Sequence, residues 1–326
     1  MLEMVDNLFD SWYTFFFIIG FAVLYYIRSI LKGAQCSSMA ELKGKTVIIT
    51  GASGGVGHET AFELANRGAR IILACRDETK GNETLLKLKS QTRNKNIIVM
   101  KLDLASFKSI KQFAKKFIEQ ESSLHILINN AGVMCCPKTI TEDGFETHFQ
   151  VNYLGPFLLT HMLLDTLKNS SPSRIINVSA IAYRLGKINF DDLNFENTDY
   201  VEGDAYSQSK LALVHFTTEM SKQLKDSGVT VNTVHPGICN TNIYRYMGFR
   251  SNSFLSLSFA PICYALMKTS KDGAQTTIQC AVAEELQEVT GKFFSECREE
   301  ALTESGCDDD VASKLYIETK KLLKLD

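Results

Sequence analysis

The stretch Thr46–Gly57 reads TVIITGASGGVG, and the rest of the chain is organised around it. Residues Thr46–Thr50 are rich in β-branched side chains and run straight into a glycine-rich turn. Apolar positions at helical spacing follow: Val56, Ala61, Phe62, Leu64 and Ala65. That succession predicts a buried strand, a tight turn and a helix N-terminus. Gly51, Gly55 and Gly57 carry no Cβ, so the backbone can turn sharply and approach a ligand closely. The free N–H groups and positive dipole end of the helix would then face that ligand, an arrangement that suits phosphate. The spacing is T-G-x-x-x-G-x-G rather than G-x-G-x-x-G. Glycines at a strand–helix turn are often only structural, so the other motifs must decide what is bound.

On the C-terminal side, apolar strands alternate with amphipathic helices. Strands are predicted at Thr46–Thr50, Ile71–Cys75, Ile97–Leu102, Ile126–Asn129, Arg174–Val178, Thr230–His235 and Lys292–Phe294. Helices are predicted at 55–67, 78–91, 106–121, 145–169, 204–226 and 271–288. Continuous Ile/Val/Leu strands separated by helices mean a parallel sheet covered on both faces. The expected fold is a single doubly wound, Rossmann-type α/β domain over residues 44–326. Ligands of such sheets bind beyond the carboxyl ends of the strands.

On the N-terminal side, Ser11–Ile27 carries no charge. The run is slightly shorter than the ~20 residues that span a bilayer, and Arg28 can snorkel. Trp12, Tyr13, Tyr25 and Tyr26 stand near its ends, where interfacial aromatics belong. A signal peptide would begin basic, whereas Glu3, Asp6 and Asp10 precede this run. Residues 1–32 are therefore expected to be a membrane anchor and 33–43 a linker. Arg28, Lys32, Lys43 and Lys45 lie after the anchor and place the remainder on the cytosolic side, with the endoplasmic reticulum as the expected membrane. The nine cysteines include no C-x-x-C pair and fit a reducing compartment rather than a disulfide framework or zinc site. The histidines make no ligand spacing, so metal chemistry is not expected. A formal net charge of −2 gives no reason to expect nucleic acid as a partner.

The residues that follow the strands carry the chemistry. Arg76 comes just after the second strand, where the 2′ position of an adenosine ribose is read. A guanidinium there favours a 2′-phosphate and hence NADP(H) over NAD(H); the competing possibility is that Asp77 reads the ribose. Asp103, in the stretch LDL, can accept from an adenine amino group. Asn130, Ala131 and Gly132 are small enough to let the backbone pass close under the cofactor. Tyr206 and Lys210, in YSQSK, lie four apart on one helix face. An unperturbed tyrosine has a pKa near 10. A nearby ammonium and a positive nicotinamide would lower it and allow proton exchange with a substrate oxygen.

The motifs TGASGGVG, LDL, NNAG, FQVNYLG, NVSA, YSQSK and HPG stand in order, and with them the chain resembles the short-chain dehydrogenase/reductase family across residues 44–295. Within it, ACRD, LINNAGVM, FQVNYLGPFLLT and YSQSKLA are most similar to the membrane-bound retinol dehydrogenase group. The resemblance implies a seven-stranded parallel sheet in the order 3-2-1-4-5-6-7. It implies that Tyr206 is the catalytic acid/base, that Lys210 holds the nicotinamide ribose, and that Asn152 anchors a proton-relaying water. It implies that Gly51, Ser53, Gly55, Val56 and Gly57 cradle the nucleotide, and that Pro236, Gly237 and Thr241 hold its nicotinamide end. One departure stands out. The family usually places a second serine where this chain has Ala180, in Asn177-Val178-Ser179-Ala180. Ser179 would need a kink or one-residue slip to replace it, because adjacent strand residues face opposite ways.

Residues 238–268 are expected to form the substrate flap, and the uncharged Phe254–Met267 suits a lipophilic substrate or a membrane surface. The expected activity is oxidoreduction of a hydrophobic alcohol or carbonyl, retinoids first and steroids or lipid aldehydes next. The alternative is a catalytically silent cofactor-binding sensor or scaffold, disabled by Ala180. If the chain forms a homodimer, helices 145–169 and 204–226 would be its interface.

Overall fold

Thr46–Thr50 forms strand β1, with all five residues buried. The computed structural model describes residues 12–247 and 266–325. Helix α1 (Trp12–Leu31) comes first, and after β1 the order is α2 (Gly55–Asn66), β2 (Arg70–Cys75), α3 (Glu78–Thr92), β3 (Ile97–Lys101), α4 (Phe107–Gln120), β4 (Ile126–Asn129), α5 (Gly155–Asn169), β5 (Ser173–Val178), α6 (Glu202–Gln223), β6 (Val229–His235), α7 (Ser270–Val282), β7 (Phe293–Ser295), β8 (Arg298–Glu300) and α8 (Asp309–Leu323).

The strands pair in the order β3-β2-β1-β4-β5-β6-β7-β8. β1 to β7 are parallel, with Val47 beside Ile71 on one side and Ile126 on the other. The seven expected strands are present, and an eighth corrects the prediction. β8 pairs antiparallel with β7, placing Glu300 beside Phe293 and Arg298 beside Ser295. Its charged, largely exposed residues give no periodic signal, and only pairing along a sheet edge orders them.

Two apolar layers cover the sheet. One packs Leu64 of α2, Leu88 of α3 and Ile278 of α7 against Ile49, Ile71 and Ile128. The other packs Phe113 and Phe117 of α4, Phe157 of α5, Phe216 of α6 and Leu315 of α8 against Ile48, Ile72 and Leu127. Each fully buried phenylalanine contributes about 1.5–3 kcal/mol to that layer.

The predicted helix 145–169 is broken in the structure. Thr147–Phe149 turns once, Gln150–Leu154 forms a π-turn, and only then does α5 begin. The π-turn holds Asn152, and such insertions often mark functional sites.

Helix α8 was not predicted, although Asp308 caps Val311 N–H and Ala312, Leu315, Thr319 and Leu323 are buried at helical spacing. It lies against the two helices expected to form a dimer interface. Tyr153 and Thr319 hydroxyls meet at 2.6 Å, His161 Nε2 and Tyr316 OH at 2.9 Å, and Lys222 pairs with Asp309 at 2.7 Å. The chain's own C-terminal helix thus covers part of α5 and α6.

Helix α1 is apolar and exposed along its length, and is long enough to cross a membrane. Most of the expected flap, residues 248–265, lies outside the described residues, as do the acidic residues before the anchor.

Candidate active site

The carboxyl ends of β1 to β6 open into a cleft of about 850 Å³. Of the residues singled out in the sequence, Gly51, Ser53, Gly55, Val56, Arg76, Asp103, Asn130, Ala131, Gly132, Ser179, Tyr206, Lys210, Pro236, Gly237 and Thr241 line it. Gly57 and Asn152 stand behind the lining. A Cβ on Gly57 would fall 2.6 Å from Gly51 O, so this glycine closes the turn rather than touching a ligand. Gly51 itself sits at φ +68, and a Cβ there would meet the Ala131 backbone at 2.9 Å. Thr50 Oγ1 accepts the N–H groups of Asn130 and Ala131, each at 2.9 Å, locking the turn after β1 to the end of β4.

The first turn of α2 has no side-chain cap, so its N–H groups stay free to take a phosphate at the cleft. Asp77, also in the lining, caps a helix. Its Oδ1 accepts from Thr79 N–H at 3.0 Å and Lys80 N–H at 3.2 Å, capping α3. Arg76 is exposed on the cleft with no hydrogen bond or ion pair among the described residues, and Lys80 joins it there. Uncapped N–H groups, a Cβ-free turn and two cations fit a dinucleotide carrying an extra phosphate. Asp103 Oδ1 accepts from Ala105 N–H at 2.9 Å, which fixes the carboxylate at the cleft edge.

At the far end, Tyr206 and Lys210 share one face of α6. Lys210 Nζ donates to Val178 O at 2.9 Å and stands 5.8 Å from the Tyr206 ring centre. Burial draws the Lys210 ammonium down to about 8. Burial pushes the Tyr206 phenol up, and the neighbouring Tyr244 and Cys135 add to the shift; the lowering expected from the sequence needs the positive nicotinamide beside the lysine. Desolvation outweighs the lysine, which is itself desolvated.

Asn152 Nδ2 donates to Val133 O at 3.0 Å and Ser209 Oγ at 2.9 Å, while its Oδ1 accepts Val133 N–H at 2.9 Å. It ties the segment after β4 to α6. Ser179 does not slip into the place of the missing serine. Its hydroxyl donates to Lys210 O at 3.0 Å, and the backbone stays extended through Ala180 (φ −151, ψ 156). Ala180, at the position where the family usually has a serine, lines the cleft.

One network escaped the sequence analysis. His148 and Glu146 are fully buried, with Nδ1 and Oε1 2.8 Å apart. Burial works against the Glu146 charge, yet hydrogen bonds from His148 and the Phe149 N–H keep its carboxyl below the usual range. His148 Nε2 accepts the Cys136 N–H at 3.2 Å, and the Tyr200 hydroxyl reaches Cys136 O and Glu146 Oε1, each at 3.1 Å. The His148 ring meets the Tyr206 ring edge-on at 6.1 Å. Cys136 lines the cleft, and burial followed by Glu146 pushes its thiol up to about 11. The only signal in the sequence was a run of polar residues between two motifs.

Comparison with known proteins agrees with this geometry. The family model for short chain dehydrogenase matches residues 45–248. The chain is 48% identical to human retinol dehydrogenase 13, covering 95% of this chain and 93% of that one. It is 44% identical to bovine (Bos taurus) retinol dehydrogenase 12, covering 98% of each. An uncharacterised Mycobacterium paratuberculosis protein of known structure superposes with a TM-score of 0.70 at 31% identity, over 90% of this chain and 98% of that one. An NADP active-site complex of Pseudomonas aeruginosa RhlG shares the fold, with a TM-score of 0.62 at 24% identity over 78% of this chain and 95% of its own.

Proposed function

Because this chain belongs to the short-chain dehydrogenase family and is an oxidoreductase, we propose that it uses NADP(H) to interconvert a hydrophobic alcohol and its carbonyl compound. Retinoids come first among the substrates, in line with the names of the relatives, and steroids or lipid aldehydes next. The observation that carries the proposal is one cleft lined by the glycine turn, Arg76, Tyr206 and Lys210.

The nicotinamide, when bound, supplies or accepts the hydride. Tyr206 gives a proton to the carbonyl oxygen during reduction and removes it during oxidation. The neutral phenol that burial favours is the form that donates. Lys210 would hold the ribose while keeping Val178 O as a partner. Asn152 would anchor the relay water through the lone pair that Oδ1 has left. Arg76 and Lys80 would take the 2′-phosphate, and α2 the pyrophosphate. Exposed apolar α1 suits anchoring in a membrane, with the endoplasmic reticulum and a cytosol-facing domain as the arrangement we favour.

Ala180 gives a second reading some weight: a cofactor-binding protein without turnover. The deciding experiment follows NADPH oxidation by the full-length protein with all-trans-retinal and a panel of lipid aldehydes, beside Tyr206→Phe. Turnover that drops at least about a hundredfold in the variant supports the enzyme. Tight NADPH binding with no turnover on any substrate supports the silent protein.

A further inference from the structure

The chain leaves α1 through Gly33 and Ala34 and lands on the turn between β7 and β8. Both turn residues, Glu296 and Cys297, are left-handed, with φ 50 and 56. Such turns usually hold Asn-Gly, and non-glycine residues keep this conformation only where their surroundings enforce it. Here the surroundings are specific. Glu296 Oε2 accepts the Ala34 N–H at 3.1 Å, and Oε1 pairs with Lys268 Nζ at 2.5 Å. Cys297 N–H donates to Thr276 Oγ1 of α7 at 3.2 Å.

Two glycines clamp the Glu296–Lys268 pair. Gly33, at φ +74, lies flush on it: a Cβ would fall 2.0 Å from Glu296 Oε2 and 2.4 Å from Lys268 Nζ. Gly237, at φ +83, lies on the lysine stem, where a Cβ would fall 2.8 Å from Cδ. The Lys268 backbone is also joined to the same turn, its N–H donating to Ile238 O at 2.8 Å and its carbonyl accepting Asn240 N–H at 2.9 Å. The linker continues along α7, where Cys36 N–H donates to Gln275 Oε1 at 3.1 Å. Partial burial works against the Glu296 charge, but Lys268 and the Ala34 N–H hold its carboxyl below the usual range. One continuous path therefore runs from the end of the anchor, through an ion pair, to the turn after β6.

We propose that the anchor linker is a working part of the nicotinamide end of the site, with Glu296 and Lys268 as positioning residues that couple Gly33–Cys36 to Pro236–Thr241. The inference rests on assigning that turn to the nicotinamide end. A seated linker holds the turn in its binding shape, and an unseated one loosens it although no linker atom touches the nucleotide.

The test uses the full-length protein in detergent micelles and compares Gly33→Val, Glu296→Ala and Lys268→Arg with the wild type. Amide exchange without nucleotide is measured over residues 33–37 and 236–241, beside NADPH affinity by fluorescence titration and separate kcat and KM values. Gly33→Val displaces the pair from outside the cleft. It should speed exchange in both segments and weaken NADPH about tenfold, the scale of one charge-assisted contact, while kcat at saturating NADPH holds. Glu296→Ala should do the same, and Lys268→Arg should stay near wild type. Released linker amides with unchanged exchange over 236–241 and unchanged affinity, in both Gly33→Val and Glu296→Ala, would overturn the coupling alone. A wild-type protein that binds no NADPH would overturn the cofactor assignment and the inference with it.

Discussion

On the bank of the cleft that we assign to the nucleotide, the backbone forms the surface: the Gly51–Gly57 turn, the uncapped start of α2 and the close crossing of Thr50 with Asn130 and Ala131. On the opposite bank side chains form it: Cys136 and Tyr206 line the cleft, backed through hydrogen bonds and ring contacts by Glu146, His148 and Tyr200. A backbone cradle needs small residues at fixed spacing and tolerates little else. A side-chain wall can be rebuilt with other residues of similar volume, which suits the bank that meets a variable substrate.

The contrast can be broken first at Ala180. If the missing hydroxyl limits catalysis, Ala180→Ser should raise kcat by up to about a hundredfold, the usual worth of one donor to a developing oxyanion. Ser179→Ala should change kcat far less, because its hydroxyl is spent on Lys210 O. Steady-state kinetics on the best substrate separate the two, and a large loss of kcat in Ser179→Ala would mean that Ser179 reaches the substrate after all. On the nucleotide bank, Arg76→Ala should weaken NADPH roughly tenfold or more and leave NADH within about twofold, as loss of a charge-assisted bond to phosphate requires. Equal weakening of both nucleotides would refute the assignment of the 2′-phosphate to Arg76.

Acid should sharpen the difference between the binding surfaces and the layers beneath them. Burial brings His215 and His235 down to about 4, with Lys268 adding to the shift at His235. Both nitrogens of His215 lack partners among the described residues. An unfolded histidine titrates near 6.5, so between about 6.5 and 4 the unfolded chain binds more protons than the folded one. Stability is full above that window and falls as pH drops through it, by at most about 3 kcal/mol per histidine. Urea unfolding at pH 7 and pH 5 would detect this, and His215→Leu should flatten the dependence. The smallest expected effect lies at the C-terminus. Thr319→Val removes the partner of the Tyr153 hydroxyl and should cost about 1–3 kcal/mol, read as a lower melting temperature with kcat unaffected.

Much of the molecule was legible in the chain. β1, β4 and the other five parallel strands were visible because residues buried on both faces must be continuously apolar. The glycine turn was visible because a left-handed, closely approached backbone admits few residues. β8 was not, since Arg298–Glu300 is ordered only by its neighbour. α8 had a cap and a period in the sequence, but only packing shows that it covers α5 and α6. Order alone favoured Arg76 over the adjacent Asp77 as the ribose reader; only the fold shows that the aspartate's Oδ1 caps the start of α3 while Arg76 keeps its guanidinium on the cleft.

The sequence by itself determined the seven parallel strands, the glycine turn after β1 and the Tyr206–Lys210 pair, because each is written within a few consecutive residues where local geometry sets the requirement. Tertiary structure alone decided the fate of Ser179, the buried Glu146–His148 network and the clamp of Gly33 and Gly237 on Glu296 and Lys268. Those depend on which groups the fold desolvates together, most of them tens to hundreds of residues apart, and a buried polar group must find its partner wherever the fold has placed one.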